Sequence, residues 1–174
     1  MMKDDEFTRR LRSYYEANYD LAEDHTFGNM SYDLYASFSM SNSRYVLVKR
    51  AQLWRSECKE HVFFIRREHI SPELISAFRE QLISHIEPDL VREGKTCPPK
   101  DHMYTYVTVI FIEECGGSEK TKKAVRHLKF HKNYRFSIRG FCQLRTVGFD
   151  LSTKKVYGNP AARDLVKEYK KIFK

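Results

Sequence analysis

Residues 134 to 149 read YRFSIRGFCQLRTVGF, and their spacing suits the capture of phosphates. As an extended strand, the stretch points Tyr134, Phe136, Ile138, Cys142 and Leu144 to one side and Arg135, Arg139 and Arg145 to the other. Arg135 and Arg139 would then stand about 13 Å apart, enough to cover two or three phosphates. Phe141 shares their side and could stack a base, as rings do on open sheets that bind single-stranded nucleic acid. Ahead of it, Lys122, Lys123, Arg126 and Lys129 lie on a helical stretch that would extend the same surface. Arg145 joins them only if Gly140 does not shift the register. The competing reading is a solvated sheet face whose arginines pair with acids such as Glu113 and Glu114. Either way, a face bearing arginine in place of isoleucine is not covered by a helix.

The other reactive residue types are arranged less well. His127 and His131 stand at i, i+4 without the glutamate of HExxH, and the lysines around them would repel a cation. Cys97 with His102, and Cys58 with His61, are isolated pairs that lack the second half of a zinc site. No GxSxG occurs. The glycine pair of EECGGSEK precedes a helix but lacks the spacing of a phosphate-binding loop. No pattern calls for a cofactor or a resident metal.

Charge sharpens the first reading. Between Glu119 and Arg145 nine Lys or Arg residues face one acid, a net +8, and the whole 174-residue chain also carries +8. The remainder is therefore neutral, and the protein carries one basic segment on an otherwise balanced chain. A chain of this length with 41% hydrophobic residues suits one globular domain over residues 1–174. The start, MMKDDEFTRR, lacks the apolar core of a secretory signal. No apolar run approaches the roughly 20 residues of a membrane span. Four irregularly spaced cysteines without a CxxC agree with reduced thiols and a cytoplasmic location.

The elements that must position these residues follow from periodicity. Phe7, Leu11, Tyr14, Tyr15 and Leu21 stripe a first helix over 5–22. From Tyr32 to Met40 the period becomes two and predicts a strand; Tyr45 to Trp54 predicts a second and HVFFI (61–65) a buried third, together a meander. Ser71, Pro72 and Glu73 start a helix striped by Leu74, Phe78, Leu82 and Ile86. MYTYVTVIFIEE (103–114) is apolar on both faces and predicts the most central strand. A helix from GGSEK to about His131, the arginine-bearing strand, a hairpin at DLSTKKVYG and a final helix after Asn159-Pro160 complete the chain. The order αβββαβαββα predicts an α+β fold: a mixed, mainly antiparallel sheet of five or six strands covered by helices.

Its opening, αβββαβ, resembles the core of the restriction-endonuclease-like nucleases. That resemblance implies a Mg²⁺ site with an early acid and an acid-x-lysine on the third strand, for which the chain offers Asp33, Glu57 and Lys59. Two departures stand against it: Asp33 falls on the first predicted strand, and Glu57 precedes the apolar run. The stretches DHMYTYVTVIFI, KFHKNYRFSIRGF and VGFDLSTKKVYGNPAARDL resemble a family of uncharacterised bacterial domains found mainly in Gram-positive anaerobes. That second resemblance, over the chain from about Tyr32, implies a bacterial cytoplasmic protein and brings no activity with it. The leading expectation is a non-enzymatic module whose basic segment binds nucleic acid or another polyanion. A Mg²⁺-dependent nuclease and a homodimeric interaction domain are the alternatives.

Overall fold

Alternating apolar residues on long β-rich segments need a second layer on each face, and the computed structural model, which describes residues 3–45 and 52–173, supplies both. Helix α1 (Glu6–Glu16) leads into three antiparallel strands, β1 (Asp20–Phe27), β2 (Met30–Tyr45) and β3 (Gln52–Arg67). Helix α2 (Pro72–Gln81), continued as a π-helical stretch over Leu82–Val91, crosses to β4 (His102–Glu113), which lies parallel to β3. Helix α3 (Glu119–His127) and the short β5 (His131–Asn133) precede β6 (Phe141–Asp150), which is parallel to β4. β7 (Lys155–Gly158) folds back on β6, and α4 (Arg163–Tyr169) follows a 3-10 turn. The order β1-β2-β3-β4-β6-β5, with β7 also on β6, makes a mixed α+β sheet of seven strands.

The two faces bury separate cores. On one, Phe63, Phe111, Val107 and Leu144 of the sheet pack under α2, the π stretch and Val125 of α3, with Phe78 edge-on to Phe111 at 6.2 Å. On the other, Phe64, Ile110 and Phe149 pack under Leu11 and Tyr15 of α1 and Tyr169 of α4. Truncating such a fully enclosed ring costs about 3–5 kcal/mol. Helix starts are fixed by capping oxygens: Ser71 accepts from the Leu74 amide at 3.2 Å and Ser118 from the Thr121 amide at 3.1 Å. Buried Asn159 uses both ends of its amide. It accepts from the Thr146 and Ala162 amides and donates to the Leu128 and Leu144 carbonyls, tying β6, the end of α3 and the start of α4 together.

Several expectations need correction. The predicted first helix ends at Glu16, and Asp20–Phe27 is an edge strand. Tyr32 to Met40 therefore belongs to the second strand of the meander, and HVFFI to a much longer third one. The predicted Tyr45–Trp54 strand spans positions 46–51, which lie outside the described residues. Tyr134 to Arg139 does not extend. Arg135, Phe136 and Ser137 adopt positive φ of 48°, 53° and 67°, and the chain makes one left-handed turn before β6 begins. For residues other than glycine this region costs about 1–2 kcal/mol each, so the surrounding structure must impose it. The Tyr134 hydroxyl donates to buried Glu87 of the π stretch at 2.6 Å, and the His102 imidazole bonds the Arg139 carbonyl at 2.7 Å. Gly140 lies so close to the strand that a Cβ would stand 2.0 Å from the Met103 carbonyl oxygen.

Candidate anion-binding site

Because that turn replaces a strand, Arg135, Arg139 and Arg145 do not form one row. Arg135 and Arg139 ride on the turn. Arg145 lies in β6, on the same sheet face as Phe141 and opposite Cys142, so the alternation was read correctly only from Phe141 onward. Its guanidinium hydrogen-bonds Glu60 of β3, donates to the Thr108 hydroxyl at 3.1 Å and lies 4.2 Å from the centre of the Tyr106 ring. Glu60 also accepts from the hydroxyls of Tyr19 at 2.9 Å and Thr108 at 3.1 Å. The pair sits at the wall of a cavity of about 600 Å³ shared with Tyr14, Phe38 and Tyr104. Phe141 stacks on Tyr104 at 5.9 Å nearby. Arg145 is not the exposed arginine the alternation predicts: its side chain is 14% exposed, Tyr14 of α1 lines the same cavity, and its charge already has its counter-ion.

At the other end of the sheet charge is handled differently. A cavity of about 400 Å³ opens where α3, the β6–β7 hairpin and the segment after α4 meet. Lys122 and Arg126 enter it from α3, Lys154 and Lys155 from the hairpin, and Lys170 from the residue following α4. Lys122 is partly neutralised, with its ammonium 3.4 Å from Glu119 and 3.5 Å from Asp150. Arg126 lies over the Tyr157 ring, 5.6 Å from its centre, a cation–π placement that leaves its charge available. Lys154, Lys155 and Lys170 form no ion pair with any described residue. Five cations less the two acids, Glu119 and Asp150, leave a formal +3 around the cavity.

Backbone geometry builds this concentration of charge. Asp150, at the end of β6, receives the Ser152 hydroxyl at 2.7 Å and the Thr153 amide at 3.1 Å, which closes the hairpin and allows Lys154 its φ of 52°. Burial alone would raise its pKa, yet these bonds and one from Gly117 outweigh it and bring the carboxyl to about 2. Asp150 is therefore a permanent anion beneath a larger positive field. Burial, then the charges of Glu113 and Asp150, push the Tyr157 hydroxyl well above its ordinary value, so it remains a neutral donor at physiological pH. Gly148 makes room for that ring, since a Cβ there would stand 2.4 Å from it.

The remaining predicted residues are dispersed. Lys123 and Lys129 are exposed and have no ion pair among the described residues. Lys132 is drawn to Glu87 at 3.0 Å. Of the predicted anion-binding set only Lys122 and Arg126 meet in the cation-lined cavity. Lys154, Lys155 and Lys170 were missed, because DLSTKKVYG signalled a hairpin and nothing in the sequence placed it beside α3.

The Mg²⁺ triad is not assembled. Counting the overlooked β1, Asp33 is on the second strand and Glu57-Cys58-Lys59 within the third, which removes the objection from strand order, although Glu57 still precedes the apolar run. Distance overrides this. Glu57 lies opposite Ser41, eight residues along β2 from Asp33, or about 26 Å at 3.3 Å per residue. Asp33 is occupied by the Arg66 amide and the Arg67 guanidinium, and Lys59 by Glu57 at 3.4 Å and Glu93 at 3.0 Å. Among the described residues no three His, Cys, Asp or Glu side chains gather as a metal would require, and no helix is long and apolar enough to cross a membrane. The Cys142 thiol is pushed up to about 12 by burial and is no nucleophile.

These features define an α+β domain with a mixed open sheet, helices on both faces and a cation-lined cavity at the carboxyl ends of β4 and β6. The chain belongs to the family described as Domain of unknown function (DUF8052), whose model matches residues 3–171. Neither a curated protein nor a solved structure matches it.

Proposed function

We propose that the protein is a binding module for a phosphate-bearing polyanion, and that the cavity between α3, the β6–β7 hairpin and Lys170 is where it binds. The observation that carries this reading is the convergence of three unpaired lysines, two from the β6–β7 hairpin and one from the segment after α4, on one concave surface. Such an arrangement raises the cost of the empty state by mutual repulsion, and an anion relieves it. A cavity of this volume accommodates a nucleotide-sized group, with the Tyr157 hydroxyl available as an uncharged donor.

The test is fluorescence anisotropy with labelled single-stranded RNA, with inorganic tripolyphosphate as competitor, titrated with salt. The wild type is expected to bind with an affinity that falls log-linearly with salt concentration. Lys154→Glu/Lys155→Glu is expected to weaken binding by about 10²-fold at low salt and to flatten the slope. Binding indistinguishable between that variant and wild type would remove the cavity from the reading, and no binding at low salt would remove the polyanion.

A further inference from the structure

The turn from Tyr134 to Gly140 does something costly and leaves its product in solvent. Phe136 is fully exposed at 100% and Ile138 at 77%. Of six large hydrophobic side chains exposed among the described residues these are two, and a third, Met103, belongs to the residue whose carbonyl touches Gly140. This tip is not a loose loop. The Ile138 amide donates to the Arg135 carbonyl, Arg139 to Tyr134, Gly140 to Ser137 and Tyr134 to Gly140, all at 3.0 to 3.1 Å. Glu87 and His102 anchor its two ends. Phe136 and Ile138 are thus held outward by a hydrogen-bonded turn, with Arg135 and Arg139 flanking them and paired with no described acid.

We propose that this turn is a membrane-interface tip: Phe136 and Ile138 enter the boundary between headgroups and acyl chains of an anionic bilayer while Arg135 and Arg139 bind lipid phosphates. Shape and size select this occupant over a protein. The tip is convex, and a stable protein interface needs about 800 Å² from each side, whereas a single large aromatic side chain offers on the order of 200 Å². Two apolar side chains flanked by guanidinium groups match instead a surface where shallow apolar insertion and attraction to anionic headgroups add. The anionic charge is required because two side chains alone give weak, reversible attachment. The inference does not rest on the polyanion cavity, whose lysines lie on other segments.

The test is co-sedimentation of the full chain with vesicles of phosphatidylcholine alone and of an equimolar mixture with phosphatidylglycerol. Wild type is expected to sediment with the mixture and not with phosphatidylcholine. Phe136→Ser/Ile138→Ser is expected to lose at least about tenfold in partitioning, as is Arg135→Ser/Arg139→Ser. Lys154→Glu/Lys155→Glu is expected to keep the binding, which separates this proposal from the cavity. Because Phe136 is fully exposed and Ile138 largely so, the tip variant should keep close to the wild-type thermal midpoint. In Phe136→Trp, brominated lipid should quench emission beyond the wild-type level, marking insertion. Absent binding to the mixture, unchanged binding of the tip variant, absent quenching, or a dimer in solution that the tip variant abolishes would each overturn it.

Discussion

The two ends of the sheet resolve the same problem, a cation beside β6, in opposite ways. At the amino end Arg145 is enclosed between Tyr106, Thr108 and Glu60, and its side chain is 14% exposed. At the carboxyl end Lys154, Lys155 and Lys170 stand around a cavity with no counter-ion among the described residues. The first arrangement has its free energy inside the fold; the second leaves its cations unneutralised, which the proposed function assigns to a ligand. A count of basic residues along the chain weights both alike, although only the second leaves its lysines without a counter-ion among the described residues.

This contrast sets the order of expected effects. Arg145→Ala leaves Glu60 largely buried without its cation and should cost roughly 3–5 kcal/mol in urea unfolding, with much of the loss recovered in Glu60→Gln/Arg145→Met. A loss below about 1 kcal/mol would mean that the amino-end pair is as solvated as the lysines.

His61 shows a third solution, a group kept neutral by burial, which, with a smaller contribution from Lys59, lowers its pKa to about 4. Between pH 6.5 and 4 the unfolded chain takes up a proton that the native His61 refuses. Stability should therefore fall as pH falls through that window, by about 3 kcal/mol, and His61→Leu should flatten the dependence. His25 and His102, also lowered by burial, act in the same direction.

Tyr134→Phe removes one donor from Glu87 while leaving Arg92 and Lys132, and should cost about 2 kcal/mol. Its signature is local: amide exchange at Ile138, Arg139 and Gly140 should accelerate more than in β4. Lys155→Ala and Lys170→Ala sit at the bottom of the order, with changes within about 0.5 kcal/mol in stability but a clear loss of RNA binding. If these lysine variants instead destabilised as Arg145→Ala does, the distinction between the two ends would collapse.

Legibility in the sequence followed the same division. The Ser71-Pro72-Glu73 start, the two-faced apolar character of β4 and the Asn159-Pro160 start are local signals, and each marks an observed element. β1 was hidden because an edge strand with one face in solvent carries Asp20, Glu23 and Asp24 where alternation would be sought. The left-handed turn was hidden because Arg135, Phe136 and Ser137 are poor candidates for positive φ. What forces it is remote: Glu87 on a π stretch and the closeness of β4 to Gly140. The cavity lysines were unreadable for the same reason, since Lys122, Lys155 and Lys170 become neighbours only after α3 and α4 dock on opposite sides of the hairpin.

The two central pairings, β3 with β4 and β4 with β6, are parallel and join segments separated by long crossovers. During synthesis the antiparallel meander is therefore complete while β3, whose Val62 to Ile65 are all buried in the finished protein, still has one bare edge. Until β4 leaves the ribosome, that edge has no pairing partner, and a nascent chain stalled before His102 should engage chaperones in a crosslinking assay far more than one stalled after Glu113. Val62 to Ile65, enclosed in the folded protein, are thus a point of aggregation risk while the protein is being made.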